Sequence, residues 1–400
     1  MPAIVVSEYK HANETLRLTD LRQALYDEGA ILMDKVLVNL HGDEHRARRS
    51  IEIKVFRRDF FEWYEKQVFP TTLRETLAPY LAAGKTDLVD FGFRVMMNLT
   101  ADFSGVDRPQ RSPEETARLL RILRTFGKAA TLGQALGDKA AIRAEIQQAM
   151  DEFDNDFFRP SMARRREMLA QLARGEITED ALPRDVLVEL LRSESETPIS
   201  HDVLMKEIGF FLLAGAFTSI HTLTHAMHDI FSWSASHPED AQRYAEDAVF
   251  LQKAIHESMR LHPSSPTAGR RPTCPMHLPS GQDVSPQDLI SVDLMAANRD
   301  TRIFGEDAAD YNPHRPAPRG ASPYGLSFGI GMHSCLGLTL AAGSLPRAGA
   351  DAREHHLGTV SLIARTLMQH GARPDPANPG VVDRSTIRNN WSLYPILLNP

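Results

Sequence analysis

Apolar positions recur at three- and four-residue spacing through the first two-thirds of the chain, which predicts one helix after another. LTDLRQALYDEG (18–29), EHRARRSIEIKVFRRDFFEWYEKQVF (44–69), PEETARLLRILRTFGKAA (113–130) and AIRAEIQQAMDEFDNDFF (141–158) all carry this period. The basic run ARRRE (163–167) reads as a solvated helix end. One helix stands apart. Ser200 is a good N-cap, Asp202 favours the first turn, and the pattern runs without proline to about Trp233, with Pro238 just beyond. At 1.5 Å per residue that is roughly 50 Å of helix. Its middle, FFLLAGAF (210–217), is apolar all round, as in a helix that crosses a protein's centre. A further helix, DAVFLQKAIHESMRLHP (247–263), is stopped by Pro263.

Beyond residue 267 the pattern changes. Prolines accumulate, Pro279-Ser280-Gly281 marks a turn, and LISVDL (289–294) alternates like a strand. An irregular, proline-rich stretch, YNPHRPAPRGASPYG (311–325), follows. The expected fold is mainly helical with a minor antiparallel β region, α+β by layer logic. No repeat, low-complexity linker or cut point is evident, so residues 1–400 are expected to form one domain.

Composition narrows the class. The 400 residues are 42% hydrophobic and 24% charged, ordinary for a globular protein, and the net charge is −7 with no long basic run, which argues against nucleic acid. The start, MPAIVVSEYKHANE, resembles neither a signal peptide nor an anchor, and the longest apolar run, IGFFLLAGAF (208–217), is too short to span a bilayer. The two cysteines, Cys274 and Cys335, form no framework or paired motif. A cytoplasmic protein without membrane contact is expected.

Candidate chemistry centres on FGIGMHSCLG (328–337), which spends three glycines, a histidine and a cysteine on ten residues. Glycine is kept where the backbone turns tightly or approaches something closely. A thiolate can be the axial ligand of a haem iron, and backbone N–H groups aimed at its sulfur moderate its electron density. A buried free cysteine in a turn is the plainer reading of the loop alone.

Other pieces accompany the loop. Glu257-Ser258-Met259-Arg260 is followed by LHPSSP and then by Tyr311-Asn312-Pro313-His314-Arg315. Together these resemble the cytochrome P450 family: its Phe-Gly-x-Gly-x-His-x-Cys-x-Gly loop, its Glu-x-x-Arg helix and its aromatic-x-Pro-x-Arg segment, in order and at the right spacing. AANRDTRIFGEDAADYNPHRP resembles the family along its whole length, and the likeness covers roughly residues 40 to 340. The resemblance implies haem b, with Cys335 as the iron ligand and Phe328 packed beside the sulfur. It implies a buried Glu257–Arg260–Arg315 cluster. It also implies haem-propionate donors at Arg49, with His45 four residues earlier, at Arg270, which Arg271 could replace, and at His333. Guanidinium suits carboxylate geometry.

Three departures from the family pattern stand out. Fewer residues than usual precede His45, so the first helix and early strands are expected to be lost and AILMDKVLVNLHG (30–42) to form a curtailed loop over the distal pocket. In the long helix Phe217 stands where the family has an acid before its threonine, here Thr218; that pair relays protons during oxygen activation. A polar row follows: His221, Thr222, His225 and His228. It is read first as helix lining, second as an alternative proton route, and last as a zinc site, although His221 and His225 have ligand spacing. Finally, Pro346 and nearby glycines interrupt the helix expected after the cysteine, and an insertion is expected to displace GTVSLIARTLMQHG (358–371).

The leading function is a monooxygenase that takes electrons from NAD(P)H through a ferredoxin reductase and ferredoxin and oxidises a small apolar substrate, aromatic, terpenoid or steroid-like. Arg46, Arg48, Arg57, Arg58 and Arg319 would offer an acidic redox partner a basic patch. Phe217 motivates an alternative, a peroxide-driven or non-oxygenase haem-thiolate enzyme. A catalytically idle haem-binding sensor is the third reading.

Overall fold

In the computed structural model, which describes residues 3–346, 349 and 355–399, the long helix forms over His201–Ser236 and the Ser200 hydroxyl accepts from the Val203 N–H. By length and composition this helix could cross a membrane, which the short apolar run had not suggested. Here it is the core helix, packed along Leu88–Ser104, Pro113–Ala130 and Ala248–Leu261. Gly215 lets the first of these approach closely, since a Cβ there would lie 2.7 Å from Thr100 Cγ2.

The other helices follow their periodic segments with corrections. Pro113–Ala130 and Ala248–Leu261 form as expected. The 44–69 segment is not one helix: Gly42–Glu52 ends, and Arg58–Trp63 begins a second that continues through a π turn into Phe69–Ala83. Between them Val55 is buried and Phe56 packs on Phe61 and Phe211, so tertiary packing overrides the local period. Lys139–Phe153 likewise continues through a π turn into Arg159–Ala173. There the basic run is only partly solvated, because Arg165 is buried between Asp107 and Asp185 at 2.7 and 2.9 Å.

Residues 18–29 are not helical. Leu21–Gln23 pairs antiparallel with Arg270–Pro272 and a 3-10 turn follows at Asp27–Gly29, so sheet pairing wins over the helical pattern. The main sheet runs in the order Ile4–Val6, Ile290–Asp293, Thr267–Pro272, Leu21–Gln23; the first pair is parallel and the others antiparallel. With the helix Tyr9–Arg17, these N-terminal strands contradict the expected loss of early elements. Residues 30–42 hold the short helix Ala30–Met33 and a 3-10 turn at Leu37–Asn39.

After the cysteine the helix is only Leu338–Ala342. Gly343, at φ 66°, ends it, and a Cβ there would lie 2.3 Å from the His356 carbonyl oxygen. Of the expected insertion, residues 347, 348 and 350–354 lie outside the described residues; the next helix is Thr359–Gln369. The chain finishes with the antiparallel strands Val381–Val382 and Trp391–Leu393, and with Pro395–Leu397, which pairs with Lys85–Asp87 and Arg373–Pro374.

Candidate functional site

The loop that raised the question is shaped by its glycines. Gly329 and Gly331 have φ of 63° and 75°, and a Cβ on Gly331 would lie 2.7 Å from the Leu16 carbonyl oxygen. The turn brings the Cys335 N–H to the Phe328 carbonyl at 2.9 Å. Cys335 is exposed, but into an interior cavity of about 320 Å³. Burial pushes its thiol pKa up, against backbone N–H donation from Gly337, the Arg49 charge and N–H donation from Leu338. Such a thiol is not a ready nucleophile; metal coordination would deprotonate it.

Beneath the loop lies a closed ionic cluster. Arg260 forks onto Glu257 at 2.7 and 2.8 Å and also donates to the carbonyls of Asn298 and Ala308, each at 2.6 Å. Arg315 Nε reaches the same Glu257 at 2.9 Å. Glu257 and Arg260 are buried, and the shared carboxylate ties the helix Ala248–Leu261 to the irregular segment before the cysteine. Asn298, which the sequence reading passed over, adds bonds to the Arg260 carbonyl, Ser327 and Leu326.

At one edge of the cavity His45, Arg49, Arg270 and His333 converge. Arg49 donates to the Ser334 carbonyl at 2.8 Å, and Arg270 to Gln23 Oε1 and the Gly269 carbonyl, both at 2.9 Å. Arg271 points elsewhere, to the Gln287 carbonyl, so it does not stand in for Arg270. Burial lowers the Arg270 pKa to about 10. The His45 and His333 rings meet edge to face at 4.7 Å. Burial, then neighbouring positive charge, holds His45 at about 4 and His333 at about 3, so both are neutral at pH 7. Both nitrogens of His45 and Nε2 of His333 are buried without partners, and neither arginine has a carboxylate partner among the described residues. An apolar cavity with a thiol on one face and unmatched cationic and imidazole donors on one edge fits haem and its propionates. Phe328 lines the same cavity and packs edge to face on Tyr324.

The long helix forms another part of the lining. Thr218 faces the cavity, its hydroxyl bonded to the Ala214 carbonyl at 2.8 Å. Ser264 Oγ donates to the Thr218 carbonyl at 3.0 Å and meets Thr222 Oγ1 at 2.9 Å. The Phe217 ring wedges against Phe93, His221 and Gly127, where a Cβ would come within 2.7 Å of it. The histidine row diverges. His221 is buried with neither nitrogen partnered, His225 stacks on His262 at 4.5 Å, and His228 bonds Tyr394 Oη at 3.0 Å. Gln23 and Arg388, which no motif had flagged, also reach the cavity. Each lies far in sequence from the motifs and gains its position only through strand pairing or hairpin placement.

The expected basic patch is weaker than its sequence suggests. Arg48 is buried on Glu207 at 2.7 Å, so it is not part of any surface. Arg46, Arg57 and Arg58 pair with Asp43, Asp59 and Glu62.

The chain is similar to several known proteins. The family model for Cytochrome P450 matches residues 236–345. The chain is 25% identical over 320 residues to pulcherriminic acid synthase of Bacillus subtilis (strain 168), a match covering 78% of this chain and 71% of the relative. It is 28% identical over 158 residues to a cytochrome P450 of the same organism, covering 39% of this chain and 36% of that one. The crystal structure of CalO2 superposes with a TM-score of 0.75 at 19% identity, covering 99% of this chain and 90% of that one. Residues 236–345 carry the match to the cytochrome P450 family, and across nearly its whole length the chain has the fold of solved structures such as CalO2.

Proposed function

We propose that the protein, as one domain over residues 1–400, is a cytoplasmic haem-thiolate monooxygenase. It would insert one oxygen atom from dioxygen into a small apolar substrate, with electrons from NAD(P)H passed through a ferredoxin reductase and ferredoxin. The observation that carries this reading is the cavity itself, which both Cys335 and Thr218 line. Haem, when bound, supplies the iron that activates dioxygen. Cys335 would ligate that iron, and the N–H groups of Gly337 and Leu338 would hold negative charge on its sulfur. Phe328 would shield the sulfur. His45, Arg49, Arg270 and His333 would hold the propionates. Phe56, Phe210, Phe211 and Leu213 give the substrate an apolar wall that excludes water. Thr218 presents the hydroxyl for proton transfer, and Phe217 cannot relay a proton to it.

Phe217 also favours a second reading, a peroxide-driven enzyme. The test compares turnover with NADH, ferredoxin and its reductase against turnover with hydrogen peroxide. Product formation coupled to NADH supports the monooxygenase. Product only with peroxide favours the second reading, and none under either condition leaves an idle haem-binding protein.

A further inference from the structure

Arg388 is a buried cation without an anion. It sits in the turn between the strands Val381–Val382 and Trp391–Leu393 and lines the cavity. Its guanidinium makes one hydrogen bond among the described residues, from Nη2 to Ser265 Oγ at 3.2 Å. Its Nε is buried with no partner, and no carboxylate lies within ion-pair distance among the described residues. The residue as a whole is 8% exposed. Burying a charge in this way is costly unless something pairs with it.

The position is held by design of the fold. The turn is tied to the end of the 131–135 loop: Ile387 N–H donates to the Gln134 carbonyl at 3.1 Å, and Ala135 bridges Thr386. The backbone N–H of Arg388 donates to Thr386 Oγ1 at 3.2 Å. Its partner Ser265 adjoins Ser264, which bonds the Thr218 carbonyl. Arg388 is therefore linked to the wall that carries Thr218, although Tyr26 neighbours both Arg388 and Arg270. The propionate donors are on other elements: the helix Gly42–Glu52, the strand Thr267–Pro272 and the cysteine loop. Its neighbours supply no counter-charge. His221 is held neutral by burial and by the Arg388 charge itself, and Tyr26 is a phenol. Burial lowers the Arg388 pKa, yet guanidinium remains protonated in proteins.

We propose that Arg388 binds the carboxylate of the substrate, so that the cavity takes an apolar organic acid, its hydrocarbon body against Phe210 and Phe211 and its carboxylate on the guanidinium. Nη1 and Nε carry no hydrogen bond among the described residues and Nη2 keeps one N–H beside its bond to Ser265, so one bidentate edge, Nη2 with Nη1 or with Nε, is left for a carboxylate. This deepens the proposed function and rests on it.

The test uses the haem-loaded protein and three matched pairs: decanoic acid, phenylbutyric acid and abietic acid, each against its methyl ester. Binding is followed by the haem spectrum and, independently of the iron, by equilibrium dialysis. At least one acid should bind about tenfold or more tighter than its ester, as expected for a desolvated charge pair. In Arg388→Gln that preference should fall to within about twofold while ester binding and haem content stay unchanged, and Arg388→Lys should keep part of it. If no acid binds tighter than its ester, or if the preference survives in Arg388→Gln, the proposal is overturned. Loss of haem in Arg388→Gln would also overturn it, by placing Arg388 on the propionates. Should that variant not fold, the wild-type acid–ester comparison and Arg388→Lys decide. A missing thiolate signature in the wild type would count against the haem-thiolate reading instead, and dialysis would still decide the carboxylate question.

Discussion

The two sides of the cavity are built differently. Beneath Cys335 the strong polar groups are partnered: Glu257 serves two arginines, and Arg260 fills its remaining donors with carbonyls. Along the long helix several are not. Arg388 Nε, both nitrogens of His221 and both oxygens of Glu52 are buried without partners, and of these three residues Arg388 lines the cavity. A fully paired network makes a rigid seat, and removing any member leaves a buried charge. An unpaired wall stays open to ligand chemistry and to pH.

Breaking the seat should have the largest effect. Arg260→Ala or Glu257→Ala leaves its partner charge uncompensated and should cost about 3–5 kcal/mol, comparable to the whole margin of a domain. Protein without haem, or with sharply reduced thermal stability, is the expected result; haem-loaded variants of normal stability would show that the cluster carries no load.

The wall along the long helix should respond less, and through packing. Gly127→Ala places a methyl 2.7 Å from the Phe217 ring, and overpacking of this kind costs about 1–3 kcal/mol. Chemical denaturation of Gly127→Ala, Phe217→Ala and the double variant checks this. The double variant should recover much of the loss from Gly127→Ala, a coupling that independent sites would lack.

The start of the long helix supplies the pH test. Glu52 has no partner, and burial, then the charge of Glu207, pushes its pKa well up. Glu207 is itself pushed up to about 7 by burial, against Arg48 and the Leu37 N–H. A carboxyl whose folded pKa is raised holds its proton longer in the native state. Stability therefore falls as pH rises from the ordinary carboxylate range towards and beyond neutrality. Glu52→Gln should flatten that decline between about pH 5 and 8, leaving the variant more stable than the wild type at the upper end. Melting curves across that range are the measurement; parallel profiles for the two proteins would rule the effect out.

The smallest effect is expected at Thr218. Loss of one hydrogen bond is worth about 1 kcal/mol, roughly fivefold in a rate ratio. Thr218→Ala should lower product formed per NADH consumed by about that factor and raise hydrogen peroxide, with substrate binding near normal. Unchanged coupling would mean that this hydroxyl takes no part in proton delivery and would favour the peroxide-driven reading.

The same contrast explains what could be read from the chain. The Cys335 loop and the Glu257–Arg260 pair are short, local patterns whose glycines and spacings are visible in sequence, and the long helix announces itself by its cap and its apolar run. The elements that close the rest of the cavity are not local. Leu21–Gln23 lies in a segment with helical spacing and becomes a strand only because Arg270–Pro272 pairs with it. Gln23 and Arg388 reach the cavity from opposite ends of the chain, 365 positions apart by their numbering, 388 − 23. Arg48 looked like part of a surface patch because its helix face is charged; only the packing of Glu207 against it shows otherwise. Phe217 was recognisable as a departure, while its role as a wedge against Gly127 depends on a helix crossing that no periodicity encodes.

The central claim is that Cys335 provides a thiolate to haem iron, and the reduced carbon monoxide complex tests it most directly. The purified protein should be red, and that complex should show the strongly red-shifted Soret band of thiolate ligation, lost in Cys335→Ala. An unshifted band in the wild type, with Cys335→Ala spectrally the same, would contradict the account.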